Sequence, residues 1–163
     1  MNINTIPNEI NFFLRDDEYG FLSNFWRAPQ TIDELVYPTN EHFYQAQKTN
    51  NSDVYTWILS APTPYLAMRA GRSLRKGKEL RDDWCDEIRI ETMLVGLRAK
   101  FTQNPDLKEK LLATGDVAIH EDAPSDMFWG RRGKDMLGKL LMQVREELKR
   151  YDNKFWNNVE ASV

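Results

Sequence analysis

The sequence Pro38-Thr39-Asn40-Glu41-His42-Phe43-Tyr44-Gln45-Ala46-Gln47-Lys48 is the stretch around which the chain is organised. Pro38 disfavours helix just before itself, and Thr39 or Asn40 is a good N-cap, so a helix is predicted to start near Glu41. A carboxylate in the first turn faces the positive end of the helix dipole, which favours its ionised form. Glu41 is therefore suited to act as a charged base, nucleophile or cation stabiliser, although many acidic first turns have no such role. We interpret His42, about 100° around the helix, as structural.

The composition fits one soluble domain. The chain has 163 residues, of which 41% are hydrophobic and 29% charged, with a formal net charge of −3. This balance argues against a nucleic-acid binder that works by bulk electrostatics. The single cysteine, Cys85, excludes an internal disulfide and fits a reducing compartment. With no pattern of a membrane span or a signal peptide, a cytoplasmic protein without membrane partners is expected.

Aromatic residues make up 12% of the chain, and several stand beside polar residues or glycine: Phe25, Trp26, Trp84, Phe128 and Trp129. Rings in polar surroundings can stack on a planar ligand, while the alternative for each of them is a place in the core. Ser23 and Asn24 interrupt one aromatic cluster. Such polar residues need hydrogen-bond partners, which a ligand could supply.

Hydrophobic spacing predicts an α+β fold that is mostly helical, with a few short strands. The predicted strands lie near residues 10–14 and 116–121, and residues 31–36 are predicted to form either a short strand or a hairpin. The predicted helices include residues 53–60, a helix after Thr63, residues 84–103, a short helix after Asn104 and a last helix from about Asp135. We expect a single compact domain over residues 10–150, with an N-terminal tail at 1–9 and a C-terminal tail at 151–163.

The same spacing predicts which residues face the core. In the helix after Thr63 these are Leu66, Ala70 and Leu74. In the helix over residues 84–103 they are Ile90, Met93, Leu94, Leu97 and Phe101, and Ile88 and Val95 widen this stripe. In the last helix they are Met136, Leu140, Val144 and Leu148.

Two stretches are candidates for binding an anion. The cluster from Arg69 to Arg81 is rich in Lys and Arg, so it is either a solvated charged face or the source of one or two anion-binding side chains. The stretch Ser125–Gly133 combines glycines with Arg131 and Arg132 ahead of a helix. Glycine near a helix N-terminus allows an anion to approach closely, although this pattern alone is a weak signal.

Taken together, these motifs resemble the YbiA-like, or NADAR (NAD and ADP-ribose), family. The blocks that carry the resemblance are Phe21-Leu22-Ser23-Asn24-Phe25, Pro38 to Lys48, Arg81-Asp82-Asp83-Trp84 running on to Lys100-Phe101, and Asp126-Met127-Phe128-Trp129-Gly130 with Leu137 to Arg145. They occur in the family's order and cover about residues 10–150. One departure is Asp135, which stands where family members often have an asparagine. Its negative charge would disfavour a phosphate nearby.

The resemblance implies a compact, mostly helical domain and an N-glycosidic activity. Characterised members cleave phosphoribosylamino intermediates of riboflavin synthesis or remove ADP-ribose from guanine in DNA. By resemblance, Glu41, Trp84 and Asp126 match the family's proposed active-site positions. The expected substrate-binding residues are Ser23, Asn24, Phe25, Lys48, Arg72, Trp129, Gly130 and Arg131.

Cleavage at a ribose anomeric carbon passes through an oxocarbenium-like transition state. Glu41 suits cation stabilisation and water activation, whereas Asp126 could protonate the leaving nitrogen or orient water or a ribose hydroxyl. Which carboxylate takes which role stays open. Trp84 could stack on the base or ribose, and Lys48 with an arginine could pair with phosphate. No metal or cofactor is expected.

Two classes of function follow from this pattern. The first is a hydrolase acting on a small phosphorylated ribose or ADP-ribose substrate, with ADP-ribosylated DNA as a further candidate partner. The alternative is a non-catalytic module that binds ADP-ribose or a nucleotide. A binding module has no need of a charged Glu41 at the anomeric carbon, so we favour the hydrolase.

Overall fold

The computed structural model describes residues 7–13 and 18–160, with residues 155–160 as backbone only. In chain order the elements are β1 (Glu9–Phe12), a 3-10 turn (Gly20–Leu22), β2 (Arg27–Ile32), β3 (Leu35–Thr39), α1 (Asn40–Ala46), α2 (Ser52–Leu59), α3 (Pro64–Arg72), α4 (Asp86–Gln103), α5 (Pro105–Ala113), β4 (Ala118–Glu121) and α6 (Met136–Glu160). The predicted class, α+β and mostly helical with a few short strands, is confirmed.

The elements group into two compact units. Unit 2 is Ser23–Asn104, and unit 1 contains the described residues up to Leu22 together with those from Pro105 onward. Each unit has its own small sheet: β1 pairs with β4 in parallel in unit 1, and β2 pairs with β3 antiparallel in unit 2.

In unit 2, a tight hairpin leads directly into α1. Asp33 and Glu34, between β2 and β3, both have positive φ angles of 49° and 66°. Two successive positive φ angles are typical of the turns whose twist matches a two-stranded hairpin. The hairpin predicted near residues 31–36 is therefore confirmed, and β3 ends at the residue that caps α1.

Helix α1 lies inside unit 2 and contacts α2, α3 and α4. Every one of its residues is buried, including the polar ones. A buried polar side chain is stable only with hydrogen-bond partners, so the polar residues of this short helix must be held by their neighbours. The site described below is built on these hydrogen bonds.

The face of α3 that packs inward differs from the predicted face. Its buried residues are Ala67, Ala70 and Gly71, whereas Leu66 is 43% exposed. The prediction that Leu66 faces the core is thus wrong, although Ala70 was placed correctly. Helix α3 presents its smallest residues to α1, and small residues let two helix backbones approach closely.

The predicted core stripe of α4 is confirmed for Met93, Leu97 and Phe101, which are buried. Val95 was predicted to widen this stripe and is 44% exposed, so that part of the prediction is wrong.

In unit 1, α6 packs on β4 and α5. Its buried face contains Leu137, Leu140, Leu141, Val144 and Leu148, which confirms most of the predicted stripe. The helix continues to Glu160, so the predicted domain boundary at residue 150 falls inside it.

The predicted N-terminal tail is described only in part. Residues 1–6 lie outside the described residues, as does residue 14 at the end of the first predicted strand, and Glu9 already belongs to β1. Within the described part of the chain, no helix combines the length and apolar character needed to cross a membrane.

Candidate active site

The site in unit 2 begins with Glu41 in the first turn of α1. Thr39 caps the helix, since its hydroxyl oxygen accepts a hydrogen bond from the backbone N–H of His42 at 3.3 Å. The backbone N–H of Glu41 donates to the carbonyl oxygen of Asn24 at 3.0 Å. The Glu41 side chain is buried, and its Oε1 accepts a hydrogen bond from Gln45 Nε2 at 2.7 Å. A buried carboxylate is tolerable only with such donors.

His42 has a structural role. Its Nε2 lies 2.9 Å from the carbonyl oxygen of Ala61, so this nitrogen carries the proton and donates it. Its Nδ1 is then the acceptor for the Thr39 hydroxyl at 2.8 Å. Burial lowers the pKa of His42, which agrees with a neutral ring. Both ring nitrogens are therefore engaged within unit 2, as predicted.

The side chains of Ser23 and Asn24 fix the chain ahead of α1. Asn24 Oδ1 accepts from Asn40 Nδ2 at 2.8 Å, and Asn24 Nδ2 lies 3.4 Å from the sulfur of Met93. The Ser23 hydroxyl oxygen accepts from the backbone N–H of Phe25 at 3.1 Å. The hydrogen-bond partners that a ligand was expected to supply are thus found within the unit. Contact of these residues with substrate stays a prediction.

Lys100 is a buried residue of this region that the sequence analysis missed. Its side chain is fully buried in α4, and its Nζ donates to the carbonyl oxygen of Ser23 at 2.8 Å. Burial lowers the pKa of Lys100 to about 7. Lys100 follows Met93 by seven residues and Leu97 by three, so helical spacing was the available signal that it lies on the buried face.

An aromatic–lysine cluster, consisting of Tyr44, Trp84 and Lys48, stands at the other end of α1. The rings of Tyr44 and Trp84 are 5.6 Å apart between centroids, and Lys48 Nζ lies 5.1 Å from the Tyr44 centroid and 6.0 Å from that of Trp84. Trp84 and Lys48 are half-buried. Both were predicted site residues. Tyr44 was not, although its spacing of three from Glu41 indicates the same helix face.

Arg81 anchors the segment that carries Trp84. Its backbone N–H donates to the carbonyl oxygen of Lys48 at 2.9 Å, and its guanidinium donates to Asp83 and to the carbonyl oxygen of Gln47. The backbone N–H of Trp84 in turn donates to the Arg81 carbonyl at 3.2 Å. The position of Trp84 beside α1 is thus fixed by main-chain contacts.

The basic residues of α3 lie on its surface. Arg72 is exposed in the last turn, and Arg69 lines a surface cleft of about 380 Å³ together with Trp57 and Leu66. Nothing in the described contacts brings Arg72 to the aromatic–lysine cluster. Its predicted contact with phosphate stays a prediction.

In unit 1, Asp126 organises a tight loop. Its Oδ1 accepts hydrogen bonds from the backbone N–H groups of Phe128 at 3.0 Å and Trp129 at 2.8 Å. The Trp129 ring packs edge-on against Phe128, with centroids 4.8 Å apart. A Cβ at Gly130 would lie 2.6 Å from the Asp126 carbonyl oxygen, so only glycine fits there. These contacts give Asp126, Trp129 and Gly130 a structural task in the loop. Their predicted functional roles are untested.

The guanidinium of Arg131 is held by β1. It donates to Asn11 Oδ1 and, at 3.2 Å, to Glu9 Oε1. The hydrogen bond from Asn11 and the contact with Arg131 lower the pKa of Glu9. This pairing competes with the phosphate-binding role predicted for Arg131.

The Asp135 side chain contacts His120. Its Oδ2 lies 2.6 Å from Nδ1 of His120, and its φ angle is +54°. Asn and Asp tolerate this left-handed conformation better than most residues, which accounts for an Asp at this position. The carboxylate expected to disfavour a phosphate is therefore engaged by the His120 ring.

In unit 2 the structure thus places Glu41 against the Ser23-Asn24 segment and Lys48 beside Trp84, and in unit 1 it places Asp126, Trp129 and Gly130 in one loop. Among the described residues, no group of three or more His, Cys, Asp or Glu side chains could hold a metal ion.

The fold and site define a family. The NADAR domain model matches residues 12–149, and the chain belongs to this family. The resemblance drawn from the sequence motifs is therefore confirmed. The NMR structure of the Escherichia coli protein YbiA superposes with a TM-score of 0.79 at 36% identity, covering 91% of this chain and 89% of that one.

Curated relatives of this chain are named as N-glycosidases or as riboflavin biosynthesis proteins. The N-glycosidase YbiA of Escherichia coli (strain K12) is 38% identical over 143 residues, which cover 85% of this chain and 88% of the relative. The N-glycosidase Npun_R5314 of Nostoc punctiforme is 37% identical, with coverages of 86% and 92%. The riboflavin biosynthesis protein VVA0006 of Vibrio vulnificus is 38% identical over 152 residues. The match covers 91% of this chain but only 41% of the Vibrio protein.

Proposed function

We propose that this chain is a hydrolase that cleaves the N-glycosidic bond between a base and a phosphorylated ribose. The enzyme class is that of its relatives named N-glycosidase, which match most of both chains. The observation that carries the proposal is the buried carboxylate of Glu41 on α1, the helix that also carries Tyr44 of the aromatic–lysine cluster and ends two residues before Lys48.

The spacing of these groups suits such a substrate. Glu41, Tyr44 and Lys48 follow one another by three and four residues, so they lie along one face of α1 and its C-terminal end. Trp84 packs on Tyr44 beside Lys48. The carboxylate suits the anomeric carbon, the aromatic rings suit the base or the ribose ring, and the lysine suits the phosphate of a phosphoribosyl compound.

Glu41 acts on the sugar in the proposed reaction. As the C–N bond breaks, positive charge builds on the ribose ring, and a fixed negative charge nearby stabilises it. A water molecule adds its oxygen to the anomeric carbon and gives up a proton to Glu41. The leaving nitrogen takes the electron pair of the broken bond together with a proton.

The aromatic–lysine cluster holds the rest of the substrate. The base or ribose stacks on Trp84 and Tyr44, and Lys48 pairs with the phosphate. Asp126 is assigned a role through the family resemblance alone, as donor of the proton to the leaving nitrogen or as a group that orients water. Asp126→Asn tests that assignment independently of Glu41.

We favour a phosphoribosylamino-pyrimidine as the substrate. Two relatives, from Vibrio vulnificus and Zea mays, are named as riboflavin biosynthesis proteins. The net charge of −3 also favours a small metabolite over DNA, since binding a duplex relies on the release of counterions by basic residues.

The proposal is tested by turnover assays read by mass spectrometry. The substrates are a phosphoribosylamino-pyrimidine, NAD and DNA that carries ADP-ribosylated guanine. The wild type should release base and ribose phosphate from the pyrimidine, and Glu41→Gln should lower kcat by roughly 10²- to 10⁴-fold. Glu91→Gln, which changes an exposed glutamate of α4 in the same unit, is the matched control and should keep wild-type activity.

The other outcomes are decisive as well. Release of ADP-ribose from DNA alone would make the chain an enzyme that reverses nucleic-acid modification. Tight ADP-ribose binding without turnover of any substrate would establish the binding module instead. Full activity of a folded Glu41→Gln variant would exclude the role given to Glu41.

A further inference from the structure

Gln45 lies one turn after Glu41 on the same face of α1. Its Nε2 donates to Glu41 Oε1 at 2.7 Å, and the residue is only 3% exposed. Its other polar atom, Oε1, is buried and has no hydrogen-bond partner in the described part of the chain. The amide therefore makes a hydrogen bond with one end and leaves the other end unpaired.

This orientation of the Gln45 amide is the one that an ionised Glu41 requires. An ionised carboxylate only accepts hydrogen bonds, so the amide nitrogen must face it and the amide oxygen must point away. A buried amide oxygen without a donor is unfavourable, and an apolar side chain of the same length would avoid that cost. Packing alone would favour a residue such as methionine here. The contact with Glu41 is what an amide adds.

Helix α3 blocks the opposite side of the Gln45 amide. A Cβ at position 71 would lie 2.0 Å from Gln45 Oε1 and 2.8 Å from Gln45 Cδ, so only glycine leaves room for this side chain. The amide is held between the Glu41 carboxylate and the backbone of α3 at Gly71. Its orientation, and that of the carboxylate it contacts, is fixed from both sides.

We propose that Gln45 is a positioning residue, which sets the orientation of the Glu41 carboxylate in the reaction, and that Gly71 provides the space that this requires. The proposal rests on the proposed N-glycosidase function. Orientation matters because a charge stabilises the transition state only when it is aimed at the place where the opposite charge develops. Gln45 itself touches neither water nor substrate in this scheme.

The test is Gln45→Met, which keeps the length of the side chain and removes the donor. The expected result is a kcat lower by about 10- to 100-fold, with KM within roughly twofold of the wild type. The substitution changes the orientation of the Glu41 carboxylate and leaves the contacts that bind the substrate in place. Gln47→Met is the matched control. It removes another amide at the end of α1, one that donates to the Tyr55 hydroxyl at 2.9 Å, and should leave both constants unchanged.

Each outcome supports or overturns the inference. An unchanged kcat in Gln45→Met, a loss confined to KM, or an equal loss in Gln47→Met would overturn it. Failure of Gln45→Met and Gln45→Leu to unfold cooperatively would show that Gln45 serves packing instead. If the wild type turned over no N-glycoside, the proposed function would fall and this inference with it. That failure appears in the wild type, so it is distinct from a failure seen only in the variants.

Discussion

At the scale of the residue, the charge of Lys100 depends on its burial. It is fully buried, and burial lowers its pKa to about 7. In the unfolded chain a lysine keeps its proton up to about pH 10.4. Between these values the unfolded state binds more protons than the folded state, so the contribution of Lys100 to stability rises with pH. The slope reaches about 1.4 kcal/mol per pH unit at most.

This pH dependence predicts a difference between the wild type and Lys100→Met. From pH 6.5 to pH 9, the free energy of unfolding of the wild type should rise relative to that of the variant, as measured by urea unfolding. Lys78→Met, at an exposed position of unit 2, is the control and should follow the wild type. Parallel curves for the wild type and Lys100→Met would mean that Lys100 stays charged in the folded state.

The same residues show what could be predicted from the sequence. Glu41 is placed in the first turn of α1 by residues next to it in the sequence. The cap, the helix and the structural role of His42 could therefore be predicted. Lys100 has its acceptor, Ser23, 77 positions away, and Arg131 donates to Asn11 across 120 positions. No local pattern reveals such partners, so the burial of Lys100 and the engagement of Arg131 emerged only from the fold.

At the scale of the element, the start of α1 contains both the cap that stabilises the helix and Glu41, the proposed active-site residue. Thr39→Ala removes the acceptor for the His42 N–H and the partner of the His42 ring. The expected cost is about 1–2 kcal/mol of unfolding free energy, typical of a lost N-cap. Because the first turn carries Glu41, kcat should fall as well. Thermal unfolding and steady-state kinetics measure the two effects.

Helix α3 offers the matched control for this prediction. Thr63 caps it in the same way, with its hydroxyl oxygen accepting from the backbone N–H of Leu66 at 3.2 Å. Thr63→Ala should lower stability by about 1 kcal/mol and leave kcat unchanged. If the two variants lost activity in equal proportion, general destabilisation would be the explanation and the cap of α1 would have no separate functional role.

Element positions were predictable from caps and spacing, but the packed face of α3 was not. Thr63 and Pro64 mark its start in both sequence and structure. Helical spacing favoured Leu66 because large apolar residues usually face a core. The partner of this face is α1, whose Gln45 lies against Gly71, so small residues were required there. Hydrophobic spacing predicts that a helix forms, whereas the residues of the neighbouring helix decide which of its faces is buried.

At the scale of the whole molecule, the extent of the functional domain stays a proposal. The family model ends at residue 149, close to the predicted boundary at 150, while α6 continues to Glu160. The buried face of α6 ends with Leu148, and Tyr151 is 69% exposed. Among the side chains that the structure describes beyond this boundary, Asp152 forms an ion pair with Lys108, 2.8 Å apart and partly exposed. We propose that the last turns of α6 lie outside the functional domain.

A chain that ends at Arg150 tests this boundary. It should keep wild-type kcat and KM and unfold cooperatively, with a stability loss of about 1 kcal/mol or less, since a partly exposed ion pair contributes little. In a chain of this size the loss corresponds to a melting temperature lower by about 2–4 °C. Asp152→Asn removes the same ion pair from the full chain and should account for most of this change. A truncated chain that aggregated or lost turnover, with Asp152→Asn unaffected, would place residues from the segment 151–163 inside the functional domain.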